Sequence, residues 1–245
     1  PWFPRLNSRP MPQAELIYGR NPVLEAARAG RLAGVLVATG MGQDARLEEL
    51  RSRVGWREVS RSELDRMVRG VHQGVVGQLK PRVWRKLPEL LAQKPSLLVA
   101  LDGIEDPQNL GAVLRNAEAV GSDGAILPLR RSSQLTPAAI KASSGASEHL
   151  PLCRVPGLAA ALPEVSKAGL WCVALDPAGD LLPWEFDFTQ PSCLVIGGEG
   201  QGVHRLVLAR CEVRIRLPMV GRVASFNAAS ATAAALYEVL RQRSS

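Results

Sequence analysis

Four short and almost purely apolar runs constrain this chain most: Leu97–Leu101, Gly124–Leu127, Leu170–Leu175 and Cys193–Ile196. Continuous rather than alternating hydrophobicity means that both faces of each strand are covered, as in a parallel sheet clad by helices. Helical patterns lie between the runs, at Asn109–Val120, Pro137–Ser143 and Leu158–Lys167, and an alanine-rich helix, Asn227–Arg243, closes the chain. This alternation predicts an α/β domain over residues 96–245, with a parallel sheet and helices on both faces. The small side chains of the last helix suit close packing on its own domain or on a second subunit.

Ahead of it, residues 14–80 read as a smaller α/β module. Asn21-Pro22 starts a helix and Gly30 stops it. Gly34–Ala38 reads as a strand, Ala45–Val54 as an amphipathic helix, Ser60 with Glu63 as a capping box, and Val75–Leu79 as a closing strand. Residues 81–95 hold three prolines with Arg82, Arg85, Lys86 and Lys94, and read as a linker. Residues 1–13 are proline-rich and basic without an apolar segment, the pattern of a disordered leader rather than a signal peptide.

The net charge of +7 is unevenly spread. Residues 1–95 carry 17 Lys and Arg against 9 Asp and Glu, whereas residues 96–245 carry 13 against 14. All of the excess positive charge is therefore N-terminal. It fits either a solvated basic face or a grip on a polyanion such as RNA. Only five of the 30 basic residues are lysines, and the arginine fork suits phosphates and base stacking. Cys153, Cys172, Cys193 and Cys211, and likewise His72, His149 and His204, lack metal-ligand spacing, so no metal is expected and the thiols read as buried hydrophobes. No apolar run reaches the length of a membrane span, and a cytoplasmic protein is expected.

Three segments put polar groups at the C-terminal edge of an apolar strand, where α/β sheets build their sites. The first is Asp106-Pro107-Gln108-Asn109-Leu110-Gly111 with Arg115-Asn116-Ala117. Next comes Ile196-Gly197-Gly198-Glu199-Gly200-Gln201-Gly202, whose glycines fall two apart and so miss the GxGxxG dinucleotide spacing. The third is Leu217-Pro218-Met219 with Ser225-Phe226-Asn227. Singly, each is also explained by helix capping or a tight turn.

In this order the three segments resemble the motifs of the SpoU branch of the SPOUT methyltransferases, and most closely those of the bacterial 23S rRNA guanosine 2′-O-methyltransferases. The similarity runs from about Ile17 to Arg243, with support from Tyr18-Gly19-Arg20-Asn21-Pro22-Val23, His72-Gln73-Gly74, and Lys141-Ala142-Ser143 through Gly145-Ala146. It implies a SPOUT catalytic domain with a deep trefoil knot behind an L30e-like RNA-binding domain. The cofactor would be S-adenosyl-L-methionine (SAM), held by Gly197, Gly198, Leu217, Met219 and Phe226. The catalytic set would be Arg115, Asn109, Glu199, Ser225 and Asn227, and Arg20, Asn116, His72, Gln73 and Lys141 would touch RNA. A homodimer acting on structured RNA, rRNA rather than tRNA, follows from the same resemblance. One departure is Ala228-Ala229 after Asn227, where the family usually has valine and serine.

The chemistry implied is alignment of a ribose 2′-oxygen with a sulfonium methyl, which needs no metal. The family assigns the base role to the counterpart of Arg115. A guanidinium holds its proton strongly, so anchoring a phosphate and stabilising developing oxygen charge is the competing role. Three other readings stay open: a tRNA ribose methyltransferase, a non-catalytic RNA-binding or ribosome-assembly protein, and a dinucleotide-dependent oxidoreductase using the Gly198–Gly202 loop. The last is disfavoured because the loop comes late in the domain instead of opening its first βαβ unit.

Overall fold

The computed structural model describes residues 16–42, 44–130, 132–222 and 225–244. The leader expected over residues 1–13 lies outside them. The chain divides into two compact units, Pro1–Val83 and Trp84–Ser245.

The first unit runs β1 (Leu16–Tyr18), α1 (Arg20–Arg28), β2 (Leu32–Ala38), α2 (Ala45–Val54), β3 (Arg57–Val59), α3 (Arg61–Met67) and β4 (Val75–Leu79). Its sheet has the order β1-β4-β2-β3, with β4 antiparallel to both neighbours and β3 parallel to β2. The helices begin where the side chains dictate. Asp44 caps α2 by accepting from the Arg46 backbone N–H at 2.8 Å. Ser60 and Glu63 form a reciprocal capping box on α3. Leu36, Ala38, Val59, Leu64, Val68 and Val76 close a small core beneath the sheet.

The second unit runs α4 (Leu87–Leu91), β5 (Leu97–Asp102), α5 (Pro107–Ala119), β6 (Gly124–Pro128), α6 (Pro137–Ala142), α7 (Ala146–His149), β7 (Leu152–Val155), α8 (Leu158–Lys167), β8 (Trp171–Leu175), β9 (Ser192–Gly197), α9 (Arg205–Leu208), β10 (Val213–Ile215) and α10 (Ala228–Arg243). The six strands lie in the order β10-β8-β9-β5-β6-β7, and every neighbouring pair is parallel. From β5 the chain first builds outward to β6 and β7, then returns to the other side for β8, β9 and β10. The direction of winding therefore changes between β5 and β9, which is where open α/β sheets form their binding crevice.

Residues 84–91, part of the stretch read from the sequence as linker, belong to this second unit. Arg85 bridges in parallel to Cys153, and Leu87 and Leu90 are buried. Two leucines three residues apart share one helical face, and burying it outweighs the prolines around it. Pro88 sits in the first turn of α4, where its missing N–H costs nothing.

Cys153, Cys172 and Cys193 are buried and Cys211 is half-buried, all as free thiols. Burial pushes them up, Cys153 to about 11 and Cys211 to about 12. Helix α10 packs one face, Ala228, Thr232, Ala235, Leu236 and Val239, into its own unit. Its last turn is clasped by Arg243, which donates to the carbonyls of Phe188 (2.9 Å), Ser96 (2.8 Å) and Gln190 (3.2 Å). No helix among the described residues is long and apolar enough to cross a membrane.

Candidate active site

The site grows from the ends of β5 and β9. Leaving β5, Asp102 accepts a hydrogen bond from the Gly198 N–H on its backbone oxygen (2.8 Å) and one from the His204 N–H on its carboxylate (2.6 Å). These bonds pin the glycine-rich turn to the sheet edge. A Cβ built on Gly198 would stand 2.0 Å from the Gly103 carbonyl oxygen, so only glycine lets the two strand ends meet here.

Beside this turn the ends of β8, β9 and β10 and the start of α10 form a cavity open to solvent on one side. Gly197, Gly198, Leu217, Met219 and Phe226, the five residues expected to hold the cofactor, all line it. So do Glu199 and Ser225 from the expected catalytic set. A second, more polar cavity lies across the turn, lined by Gly103, Glu105, Asp106, Asn109, Gln201 and His204. Gly198 and Glu199 form the wall that the two share.

At that wall three expected catalytic side chains meet. Asn109 Nδ2 donates to Glu199 Oε1 at 3.1 Å. Asn227 Nδ2 donates to the same oxygen at 2.5 Å and to Asn109 Oδ1 at 2.9 Å. The local fold explains each position. Asp106 caps α5 by accepting from the Gln108 and Asn109 N–H groups, which puts Asn109 in the first turn. Asn227 is itself the cap of α10, accepting from the Ala229 and Ser230 N–H groups. Seven residues after Asn109, on the same stripe of α5, Asn116 Nδ2 donates to the Ala229 carbonyl at 3.0 Å. Asn109 and Asn116 thus fasten α5 to the first turn of α10.

Arg115 stands apart from this triangle. Its guanidinium is exposed and donates from Nη1 to Ser144 Oγ at 3.1 Å. Ser225 is exposed at the cavity mouth, and Lys141 is exposed on α6.

The remaining RNA-directed residues lie in the first unit. Gln73 accepts from the Arg20 backbone N–H through Oε1 (3.0 Å) and from Arg20 Nε through its carbonyl (3.4 Å), while Arg20 also pairs with Asp44. Gln73 is exposed and holds φ near +52°, a left-handed turn conformation. His72 is different. It is 3% exposed, accepts from the Gly74 N–H on Nδ1 (3.0 Å), and therefore carries its proton on Nε2, toward Asp65 (2.9 Å). Both ring nitrogens are engaged, so His72 holds the turn that carries Gln73.

Sequence reasoning missed Leu175, Asp176 and Pro177, which line the cofactor cavity at the end of β8. The signal was present: an apolar run broken by Asp-Pro marks a strand's C-terminal edge, where sites form. Ser144 was also missed.

Comparison with known proteins places this geometry. The family model for the SpoU rRNA methylase family matches residues 96–237, and the model for the RNA 2′-O ribose methyltransferase substrate-binding domain matches residues 16–83. The chain belongs to the SpoU rRNA methylase family. Among its relatives is the 23S rRNA (guanosine-2′-O-)-methyltransferase RlmB of Pseudomonas syringae, 40% identical over 96% of this chain and 98% of the relative. Another is an uncharacterised tRNA/rRNA methyltransferase of Mycolicibacterium paratuberculosis, 39% identical over 98% of this chain and 81% of the relative. The fold matches the SpoU methyltransferase AviRb of Streptomyces viridochromogenes in complex with AdoMet, with a TM-score of 0.80 at 27% identity over 94% of this chain and 90% of that one. It also matches an AdoMet-bound rRNA methyltransferase of Sinorhizobium meliloti, with a TM-score of 0.78 at 26% identity over 93% and 87%.

This SpoU protein is a SAM-dependent RNA methyltransferase acting on a ribose 2′-hydroxyl. The cavity fits the cofactor: glycine backbone forms its floor and Leu217, Met219 and Phe226 its apolar wall. When bound, SAM supplies an electrophilic methyl group on a positively charged sulfur.

Proposed function

We propose that this SpoU enzyme methylates a guanosine ribose of 23S rRNA in the cytoplasm, with Asn109, Arg115, Glu199, Ser225 and Asn227 as its catalytic set. What carries the reading is the Asn109–Glu199–Asn227 triangle on the wall of the glycine-floored cavity. A full-length relative named for guanosine 2′-O-methylation of 23S rRNA supports the substrate. Gly197, Gly198, Leu217, Met219 and Phe226 hold SAM against this wall, and the 2′-hydroxyl enters from the polar cavity opposite. Two amide donors fix the Glu199 carboxylate, so it is oriented before substrate arrives.

Arg115 acts as an anchor. Its guanidinium is exposed and would meet an incoming phosphate and the oxygen that becomes negative during transfer. An anchor predicts that Arg115→Lys keeps part of the activity while Arg115→Ala loses it. A base predicts equal loss in both with RNA affinity unchanged.

The first unit grips the structured RNA through Arg20, Gln73 and the surrounding arginines, with Lys141 contributing from the second unit. Replacing exposed Arg57, Arg61 and Arg69 by glutamine should weaken RNA binding and flatten its salt dependence, the logarithmic slope falling by about one for each phosphate left unneutralised, while SAM affinity stays constant. A homodimer is part of the same reading. Tyr237, 70% exposed on α10, gives it an apolar surface to cover, and sedimentation of wild type against Tyr237→Glu tests it.

The substrate is tested by supplying undermethylated 23S rRNA and tRNA side by side. Methyl transfer to a single guanosine of 23S rRNA supports the proposal. Transfer to tRNA alone would favour the second reading, to which the mixed tRNA/rRNA names of several relatives point.

A further inference from the structure

Helix α5 carries a second working stripe besides the one that holds Asn109 and Asn116. Gly111 and Arg115, four residues apart, share a face that meets the end of α6. A Cβ on Gly111 would lie 2.3 Å from the Ala139 carbonyl oxygen and 2.8 Å from the Ser143 nitrogen, so the two helices touch backbone to backbone. One turn further along α5, Arg115 Nη1 reaches Ser144 Oγ at 3.1 Å.

The segment that carries Ser144 is held rigidly. Ser143 is fully buried; its hydroxyl donates to the Ile140 carbonyl (2.7 Å), accepts from the Ser147 N–H (3.3 Å) and lies 3.1 Å from Ser147 Oγ. The Ser147 hydroxyl continues to the Glu148 carboxylate (3.2 Å). After this lock the chain turns through two left-handed residues, Ser144 at φ +51° and Gly145 at φ +97°. Glycine or asparagine is the ordinary choice just past a helix end, because a side chain on a left-handed backbone is strained. Among the described residues only Gln73, Lys94 and Ser144 adopt positive φ without being glycine. The Ser144 side chain is exposed and fills no core. What serine adds over glycine is the hydroxyl on Arg115.

We propose that Ser144 is a positioning residue, retained in a strained left-handed conformation because its hydroxyl aims the Arg115 guanidinium at the reacting ribose. The proposal rests on the reading of Arg115 as the group that acts on RNA. The chemistry of the tether matters as much as its place. A neutral hydroxyl orients the guanidinium without cancelling its charge, and leaves the remaining N–H donors for a phosphate or a developing oxyanion. A carboxylate at the same position would hold Arg115 in an ion pair and withdraw it from substrate. Strain kept at a site where it serves geometry is a recognised pattern.

The test pairs two substitutions that move stability and rate in opposite directions. Ser144→Gly removes the strain and the hydroxyl: Tm should hold or rise while kcat falls about tenfold, the scale of one hydrogen bond to a charged group, with SAM affinity unchanged. Ser144→Thr keeps the hydroxyl but places a β-branched side chain on a left-handed backbone: Tm should fall while most of kcat survives. Both are assayed with SAM and unmodified 23S rRNA, together with Arg115→Ala and the Arg115→Ala/Ser144→Gly double variant. The double variant should be no slower than Arg115→Ala alone, since the serine acts through the arginine.

The proposal is overturned if Ser144→Gly turns over at the wild-type rate, or if the rates of the two variants simply follow their Tm values. Loss of activity in Arg115→Ala with an intact Ser144→Gly would remove the serine's role only. An unimpaired Arg115→Ala would overturn both the reading of Arg115 and the role built on it.

Discussion

Asn227 caps helix α10 and grips Glu199 with one side-chain amide: its Oδ1 accepts from the Ala229 and Ser230 N–H groups, and its Nδ2 donates to Glu199 Oε1. Folding and chemistry are therefore joined at one residue, and two substitutions separate them. Serine is also a good cap but is too short to reach the carboxylate. Asn227→Ser should keep thermal stability close to wild type and lose methyl transfer. Asn227→Ala should lose the transfer and also about 1 kcal/mol of stability, read from denaturant melts.

The Gly198 contact with Gly103 makes a prediction about cofactor binding. A methyl group at residue 198 meets a backbone carbonyl, which cannot swing aside as a flexible side chain would. Gly198→Ala should push the turn from the sheet edge and weaken SAM binding by at least about tenfold, or roughly 1.4 kcal/mol, measured by calorimetry. Circular dichroism should still report a folded protein.

Arg243 offers a purely structural prediction. Its bonds to the carbonyls of Phe188, Ser96 and Gln190 tie the end of α10 to the start of the sheet, away from the cavity. Removing it leaves the part-buried Phe188 carbonyl without that donor. Arg243→Ala should cost about 2 kcal/mol of stability while the folded fraction keeps its kcat.

The four thiols set an alkaline limit. Burial holds Cys153 up to about 11 and Cys211 up to about 12, above the value of about 8.5 in an unfolded chain. Because the folded values are raised, the stabilisation by neutral thiols is complete below about pH 8 and is lost as pH climbs through the folded values. Alkylation at pH 8 should be slow in the native protein and fast in denaturant, and Tm should fall progressively above about pH 9.

Much of the architecture was legible because local and tertiary preferences agree. Helix α2 runs from Ala45 to Val54 as its pattern predicts, since Asp44 supplies a cap and Leu47 and Leu50 one apolar face. The pattern also gives α8 its observed bounds despite Pro163. Strands β3 and β10 left little trace. Each has three residues, of which only Val59 and Ile215 are buried, and pairing with a neighbour makes them strands. Helix α4 was hidden by its prolines. In the site, the residues that meet in the triangle came from three motifs far apart in sequence, whose types suggested polar chemistry without placing it. For Leu175–Pro177 the Asp-Pro break marked a strand end, but the strand order is what brings that end beside Leu217 and Phe226, and the left-handed turn at Ser144 has no sequence signature.

Methyl transfer to a ribose oxygen leaves a chemical mark, because a 2′-O-methyl blocks alkaline cleavage of the adjacent phosphodiester. Undermethylated 23S rRNA labelled by this enzyme with radioactive SAM, then hydrolysed completely in alkali, should yield the label in an alkali-resistant dinucleotide beginning with guanosine. Label released in mononucleotides would place the methyl on a base, and that result, or no label from folded and SAM-binding protein, would rule out ribose methylation by this enzyme.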